Sequence, residues 1–134
     1  MVKELRKWRE DRRLTQSNYK AYFTNIIEEL LEPIYKDPDV LRAAKQTIVD
    51  IYYKDNIELD EHDIIDTIND ITVFSVNETE LMGYSFDKTM SETIKEISSR
   101  EGEYNPESGK WEKFKTKRAI KKWYKADYSK CKMD

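Results

Sequence analysis

The sequence predicts an all-α fold, a helical bundle of four to five helices followed by a basic C-terminal segment. Apolar residues recur at the 3.6-residue period of a helix along most of the chain. Charged residues make up 38% of the 134 residues, and glycine and proline together contribute only six, a composition that favours helices over tight turns. We expect one domain over residues 1–134, with an N-terminal helix (1–14), a helical core (15–100), and a loop with a basic aromatic tail (101–134).

Capping residues and prolines indicate where the first helices begin and end. Thr15 or Ser17 can cap the helix after the N-terminal one, and Pro33 is expected to stop or kink that helix around residue 32 because proline removes a backbone donor. Asp37 followed by Pro38 indicates a cap and the first residue of the next helix. That helix is expected to run to about residue 53.

The second half of the chain is expected to hold two more helices and a loop. One helix should cover residues 59–76, and a break around Gly83 should separate it from a helix capped by Ser85 or Asp87. Gly102 is expected just past the end of that last helix, where glycine is common. Glycine, asparagine and proline predict a loop over residues 101–109.

Two of the expected helices carry acidic side chains away from their apolar stripes, and each of them includes a long stretch without Lys or Arg. Spacings of three, four and seven residues place side chains on a shared helix face. From residue 21 to 35 there are three Glu and no Lys or Arg, and from 55 to 87 there are ten Asp or Glu and again no base. The residues concerned are Glu28, Glu29 and Glu32 in the first helix and Asp63, Asp66 and Asp70 in the second.

A solvated helix face would also be acidic, and this alternative stays open. Solvated faces usually mix signs, however, because Glu and Lys one turn apart support each other. Like charges roughly 4 Å apart repel by up to a few kcal/mol at an intermediate dielectric. The missing lysines therefore indicate another cation, and Mg²⁺ or Ca²⁺, which prefer oxygen ligands, are the natural candidates.

Single cysteine and histidine residues exclude several classes of site. Cys131 has no second cysteine to pair with, and His62 is the only histidine, which argues against an intramolecular disulfide, a histidine-rich zinc site and a Cys/His nucleophile. No stretch approaches the roughly 20 apolar residues that span a bilayer, and the N-terminus lacks the apolar core of a signal peptide. We expect a cytoplasmic protein without a membrane partner.

The charge of the chain is divided unevenly. Residues 110–134 contain ten Lys or Arg against three Asp or Glu, a local charge of +7. Because the net charge of the chain is −3, residues 1–109 carry a charge of −10. Aromatic residues alternate with these bases. Such a tail is compatible with contacts to phosphates, to the acidic body of a partner, or to nucleic acid.

At this point the sequence resembles a known family. Glu28-Glu29-Leu30-Leu31-Glu32 is similar to the Glu-Glu-x-x-Glu motif of the all-α NTP pyrophosphohydrolases, which include the MazG proteins, the dimeric dUTPases and phosphoribosyl-ATP pyrophosphohydrolase. Asp63-Ile64-Ile65-Asp66 has the spacing of the family's second motif, Glu-x-x-Asp, with Asp in place of Glu; an alternative register uses Asp70. The Glu96–Gly102 and Gly109–Lys113 segments resemble phage-type members of this family.

The resemblance implies a MazG-like bundle and a Mg²⁺-dependent hydrolysis of a nucleotide between its α- and β-phosphates. It implies metal ligands among Glu29, Glu32, Asp66 and Asp70, with Asp63 the next candidate, and Glu28 as the residue that orients the attacking water or acts as general base. Family members pack two or more subunits together, so a dimer or tetramer is expected. The candidates for holding phosphate oxygens or stacking on the base are Arg100, Lys110, Lys113, Lys125, Tyr124, Tyr128 and Trp111.

Two other functions stay open. The protein could be a non-enzymatic helical module that binds nucleic acid through its basic tail, although this leaves the lysine-free helices unexplained and nucleic acid is not the expected partner. It could also be a regulatory relative that binds a nucleotide without hydrolysing it, because the Asp-for-Glu change withdraws each carboxylate of the second motif by one methylene.

Overall fold

The computed structural model describes every residue from Met1 to Asp134 and contains six α-helices, one two-stranded sheet and a 3₁₀ turn. The predicted helical character is confirmed, but there are six helices rather than four to five, and a two-stranded sheet that the prediction lacked is present. The helices are α1 (Val2–Asp11), α2 (Tyr19–Leu31), α3 (Pro38–Tyr52), α4 (Glu61–Leu81), α5 (Phe86–Ser98) and α6 (Lys117–Lys121). The strands are β1 (Gly102–Asn105) and β2 (Lys110–Lys113), and the 3₁₀ turn covers Tyr128–Cys131. None of the helices combines the length and the apolar character that a membrane crossing requires.

Local capping accounts for most helix boundaries. Asp37 accepts hydrogen bonds from the amides of residues 39 and 40, and Pro38 is the first residue of α3, as predicted. Ser85 caps α5, and α2 ends at residue 31 just before Pro33, also as predicted. The cap of α2 is Asn18, which accepts from the Ala21 amide, so the expected role of Thr15 or Ser17 is wrong.

Helix α4 is longer than the sequence suggested. It continues five residues beyond the expected end at Val76 and stops at Leu81, because Asn77 and Thr79 are tolerated in a helix whose other positions favour it. The break is confined to residues 82–85. Within it, Gly83 has a φ of +88°, a conformation that residues with a side chain rarely adopt.

The chain divides into two compact units. The first, here called the helical-pair unit, covers residues 17–69; the second, the hairpin unit, covers residues 1–16 and 70–134, and α4 contributes to both. In the helical-pair unit α2 packs on α3. Phe23 is buried there and lies against the ring of Tyr52 at a centroid distance of 5.7 Å, which ties the start of α2 to the end of α3.

In the hairpin unit, helix α1 and the 3₁₀ turn both contact α5. Arg12 joins α1 to the end of α5: it is 8% exposed, its guanidinium donates to the carbonyls of Ile97 and Arg100, and it lies between the rings of Trp8 and Trp111. A buried cation at the carboxyl end of a helix interacts favourably with the helix dipole.

Residues 101–109 do not form the predicted loop. Gly102 begins β1, which pairs antiparallel with β2 in the register Gly102–Lys113 and Tyr104–Trp111. Gly102 is therefore not a helix cap; a Cβ at this position would collide with the Glu112 carbonyl and the Trp111 ring. The close approach of the β2 backbone to residue 102 explains why this residue is glycine. The prediction of a loop is wrong because the two strands are short and are joined by turn residues.

Candidate functional site

Glu28 lies on the side of α2 that faces α3, where it already has a cation beside it. The Nζ atom of Lys45 on α3 is 3.5 Å from Glu28 Oε1. The sequence around Glu28 contains no basic residue, but in the folded chain the neighbouring helix α3 places Lys45 beside it. The argument from missing lysines does not apply to Glu28, whose role as a general base stays a prediction.

The other two acidic residues of α2 are exposed. Glu29 lies in the last turn of the helix, and Glu32 is its C-cap residue. The two side chains are three residues apart and therefore lie on one side of the helix end. Both side chains are exposed at this end of the helix.

The three aspartates of α4 have no basic side chain paired with them in the structure, as their sequence surroundings predict. Asp63, Asp66 and Asp70 are all exposed, and their spacing places them along one side of the helix. No ion pair within the chain uses any carboxylate between Asp55 and Asp87. The acidic side of α4 is thus uncompensated in three dimensions as well as in sequence.

The acidic residues do not converge on a preformed cage. Nowhere in the chain do three or more His, Cys, Asp or Glu side chains come together in an arrangement that could hold a metal ion. The carboxylates instead form two sets, one at the end of α2 and one along α4.

A small cleft beside Glu28 contains bases that the sequence did not bring to attention. It has a volume of about 210 Å³ and is lined by Glu28, Pro38, Leu41, Arg42 and Lys45. Arg42 also pairs with Asp39 at 3.1 Å. These bases were missed because they belong to α3, and only the packing of α3 on α2 places them next to the acidic motif.

Arg100 is held by its surroundings in the hairpin unit. Its Nη2 donates to Glu96 Oε1 at 3.2 Å, and its guanidinium carbon lies 5.7 Å from the centre of the Trp123 ring. Its Nε is buried without a hydrogen-bond partner. Part of the fork that we expected to hold phosphate is therefore engaged by Glu96.

The remaining candidates for phosphate or base contacts are spread over β2 and the tail. Lys113 Nζ lies 5.4 Å from the Trp123 ring centre, and Tyr128 exchanges a 2.9 Å hydrogen bond with Thr93 on α5. Lys110 and Lys125 are exposed. The structure brings Lys113 near Arg100 through their shared contact with Trp123, and it leaves Lys110 and Lys125 free to meet a ligand.

No protein-family model, curated protein or solved structure matches this chain. The family resemblance therefore rests on the motif residues alone.

A cluster of charged and polar side chains surrounds Glu92, a residue that is not among the predicted site residues. Glu92 is 3% exposed and accepts hydrogen bonds from Tyr124 at 2.8 and 3.0 Å, while Lys130 Nζ lies 2.9 Å away. The hydrogen bond from Lys130, followed by that from Tyr124, lowers the pKa of Glu92 to about 2. The same contact raises the pKa of Lys130.

The Glu92 cluster attaches the basic tail to α5. A second attachment lies next to it, where the Ala126 amide donates to Glu96 and the Tyr124 amide to Ser99. Tyr124, a candidate for stacking on a base, thus has its hydroxyl and its amide committed to the fold. The sequence gives no sign that Glu92 is buried, because its position in α5 resembles that of an ordinary surface glutamate.

Proposed function

We propose that the protein is a Mg²⁺-dependent nucleotide pyrophosphohydrolase. It would hydrolyse an NTP, or a nucleotide similar to phosphoribosyl-ATP, between the α- and β-phosphates to a monophosphate and pyrophosphate. The observation that carries the proposal is the exposed side of α4, where Asp63, Asp66 and Asp70 lie without a basic partner. The negative charges of these side chains repel one another, and a bound cation would relieve that repulsion.

The donor chemistry of the two acidic sets suits magnesium. All the candidate side chains are carboxylates, and Mg²⁺ keeps several of its waters, so one or two protein oxygens per ion are sufficient. Glu29 and Glu32 on α2 and Asp66 and Asp70 on α4 would hold the metal, with Asp63 as the next candidate. When bound, Mg²⁺ supplies positive charge against the phosphates and lowers the pKa of a coordinated water.

The chain itself would position the water and the phosphates. Hydrolysis adds water across the anhydride bond, so a proton must leave the attacking water, and Glu28 would accept it. Lys45, 3.5 Å from Glu28, would hold that carboxylate in place. Arg100, Lys110, Lys113 and Lys125 would bind phosphate oxygens, Arg100 through the part of its fork that Glu96 leaves open.

A homo-oligomer, a dimer or a tetramer, belongs to this proposal. It is supported by large apolar side chains that stay exposed on α2, in the turn after α2 and on α3, namely Leu30, Ile34 and Ile51, each 68% exposed. Apolar surface of this extent commonly marks an interface. A second copy would also bring further carboxylates or bases to a site whose ligands do not converge within one chain.

The test is pyrophosphate release from a panel of canonical and modified NTPs and phosphoribosyl-ATP, measured with Mg²⁺ and with EDTA. We expect release only with Mg²⁺, and we expect Glu29→Gln and Asp70→Asn each to lower kcat by roughly 100-fold or more, since each removes a charge that stabilises the transition state. Asp50→Asn is the matched control, because Asp50 is an exposed carboxylate of α3 whose partner is Gln46. It should leave the rate unchanged.

Two outcomes would redirect the proposal. Binding of a nucleotide without turnover, unaffected by Glu29→Gln, would indicate a regulatory protein. DNA or RNA binding that weakens steeply with salt, together with no hydrolysis of any nucleotide, would indicate the nucleic-acid function. Equal rates for the wild type and for both carboxylate variants would refute the assigned ligands.

A further inference from the structure

The hairpin unit contains an apolar groove that the proposed chemistry does not use. Its volume is about 460 Å³, within the range of roughly 300–1,000 Å³ that small-molecule sites occupy. Most of its lining residues are aromatic or methionine, namely Met82, Tyr84, Phe86, Met90 and Tyr128. Rings and thioethers both make favourable contacts with an aromatic ring, so this lining favours an aromatic occupant.

The groove is separate from the acidic side of α4. Thr79, which lines the groove, comes nine residues after Asp70. Nine residues are about 2.5 helical turns, so the two side chains lie on opposite sides of the helix. The groove and the carboxylates that are proposed to hold Mg²⁺ therefore belong to two different surfaces.

The lining of the groove carries no charged side chain. An ion placed there would lose its water without gaining a countercharge, which is costly. Lys132 is near, with its Nζ 6.0 Å from the centre of the Tyr84 ring, but it is exposed and does not line the groove. The groove therefore favours an uncharged ligand.

Four of the five hydroxyl groups among the lining residues have committed their protons to other oxygens of the chain. Thr79, Thr89 and Thr93 each donate to a backbone carbonyl of the preceding turn, at 2.8, 2.9 and 3.1 Å. Because the single proton of Thr93 is used in this way, Tyr128 is the donor in the 2.9 Å bond between these two hydroxyls. A ligand that meets any of these four oxygens finds a hydrogen-bond acceptor and no donor.

The backbone beside the groove is paired as well. The Ser85 amide donates to the Cys131 carbonyl and the Met133 amide to the Gly83 carbonyl, both at 2.9 Å. An extended peptide that adds to an edge gains affinity through unpaired backbone groups, and these groups already bond to each other. The groove therefore suits a small molecule better than a peptide strand.

We propose that the groove binds an uncharged aromatic small molecule that carries an N–H or O–H donor. The rings and thioethers contact the ring of the ligand, and a hydroxyl oxygen of the lining accepts its hydrogen bond. Tyr128 comes from the 3₁₀ turn, and the other lining residues come from α4, α5 and the turn between these helices. The bound molecule thus joins the C-terminal segment to both helices.

The first experiment compares three probes that share one ring system. Indole is uncharged and has an N–H donor, 1-methylindole lacks the donor, and indole-3-carboxylate is an anion. Isothermal titration calorimetry uses the full chain without nucleotide or metal, so its result does not depend on the proposed enzymatic function.

The expected order of affinity follows from the lining. Indole should bind with a Kd of roughly 0.1–1 mM, which is reasonable for a ligand of this size. 1-Methylindole should bind roughly fivefold more weakly because it loses the hydrogen bond. Indole-3-carboxylate should bind at least roughly tenfold more weakly because its charge would be desolvated without a partner.

The second experiment locates the binding. Thr89→Trp places a bulky ring in the groove and should weaken the binding of indole by roughly tenfold or more. Ser91→Trp is the matched control, because Ser91 is an exposed residue of α5 that does not line the groove. Circular dichroism checks the folding of both variants, and amide chemical-shift changes in the wild type should concentrate at residues 79–93 and around Tyr128.

Several results would overturn the proposal. These are no binding of any probe up to the solubility of indole, equal affinities of indole and 1-methylindole, or tighter binding of the carboxylate. The same holds if Ser91→Trp weakens binding as much as Thr89→Trp, or if the chemical-shift changes lie outside the groove.

Discussion

Replacement of Arg12 tests how the hairpin unit is held together. The guanidinium donates to three backbone carbonyls, those of Trp8 at 3.2 Å, Ile97 at 3.3 Å and Arg100 at 3.1 Å. It also lies 4.7 Å from the centre of the Trp8 ring and 4.4 Å from that of Trp111. Arg12→Ala removes all five contacts, of which those to Ile97, Arg100 and Trp111 join the end of α1 to the end of α5 and to β2.

The expected loss follows from these contacts and from the cost of burying the charge. Hydrogen bonds to a charged group contribute about 1.5–3 kcal/mol each, and a desolvated cation–π contact contributes about 2 kcal/mol. Desolvation of the guanidinium offsets several kcal/mol of this sum. We therefore expect Arg12→Ala to lower the free energy of unfolding by about 3 kcal/mol, or the Tm by roughly 10 °C for a chain of this size.

Thermal and urea denaturation followed by circular dichroism measure the effect. Arg12→Lys keeps the charge but not the planar fork, so it should recover only a minor part of the lost stability. Arg9→Ala is the control, because Arg9 is an exposed base in the last turn of α1. The reasoning is refuted if Arg12→Ala costs no more stability than Arg9→Ala, or if Arg12→Lys matches the wild type.

Two further predictions concern the same unit. The pKa of Glu92 is lowered from 4.5 to about 2 on folding, so its contribution to stability is present above pH 4.5 and is lost as the pH falls towards 2; the Tm of Glu92→Gln should lack this part of the acid dependence seen in the wild type. Gly102→Ala should lower the free energy of unfolding by about 2–3 kcal/mol through overpacking against Trp111, whereas Gly83→Ala, which meets no atom within 4 Å, should cost about 1 kcal/mol for its positive φ. Equal losses in the two glycine variants would contradict the steric argument.

The helices were predictable because their signals are local. Asp37 with Pro38, and Ser85 before α5, cap the amides of residues two to three positions away, and Pro33 lies just beyond the end of α2. The hairpin was not predictable in the same way. Its strands are four residues long, and the requirement for Gly102 arises from Trp111 and Glu112 on the opposite strand.

The candidate site shows the same division. The acidic side of α4 could be derived from spacing alone, because residues three to four apart share a helix face whatever the rest of the chain does. The ion-pair and hydrogen-bond partners of the individual charged side chains could not be derived from spacing. Lys45 beside Glu28, Glu96 on Arg100, and Lys130 with Tyr124 on Glu92 all join residues at least four positions apart, and most of them join different elements.

The sequence by itself determined the helical class, most helix boundaries and the alignment of Asp63, Asp66 and Asp70 on one side of α4, since these depend on interactions within one or two turns. Only the tertiary structure decided which charges are neutralised, that the basic tail is attached to α5, and that Tyr84, Phe86 and Tyr128 line an apolar groove. These features depend on which distant segments pack together. Packing is set by the whole chain, and no local pattern encodes it.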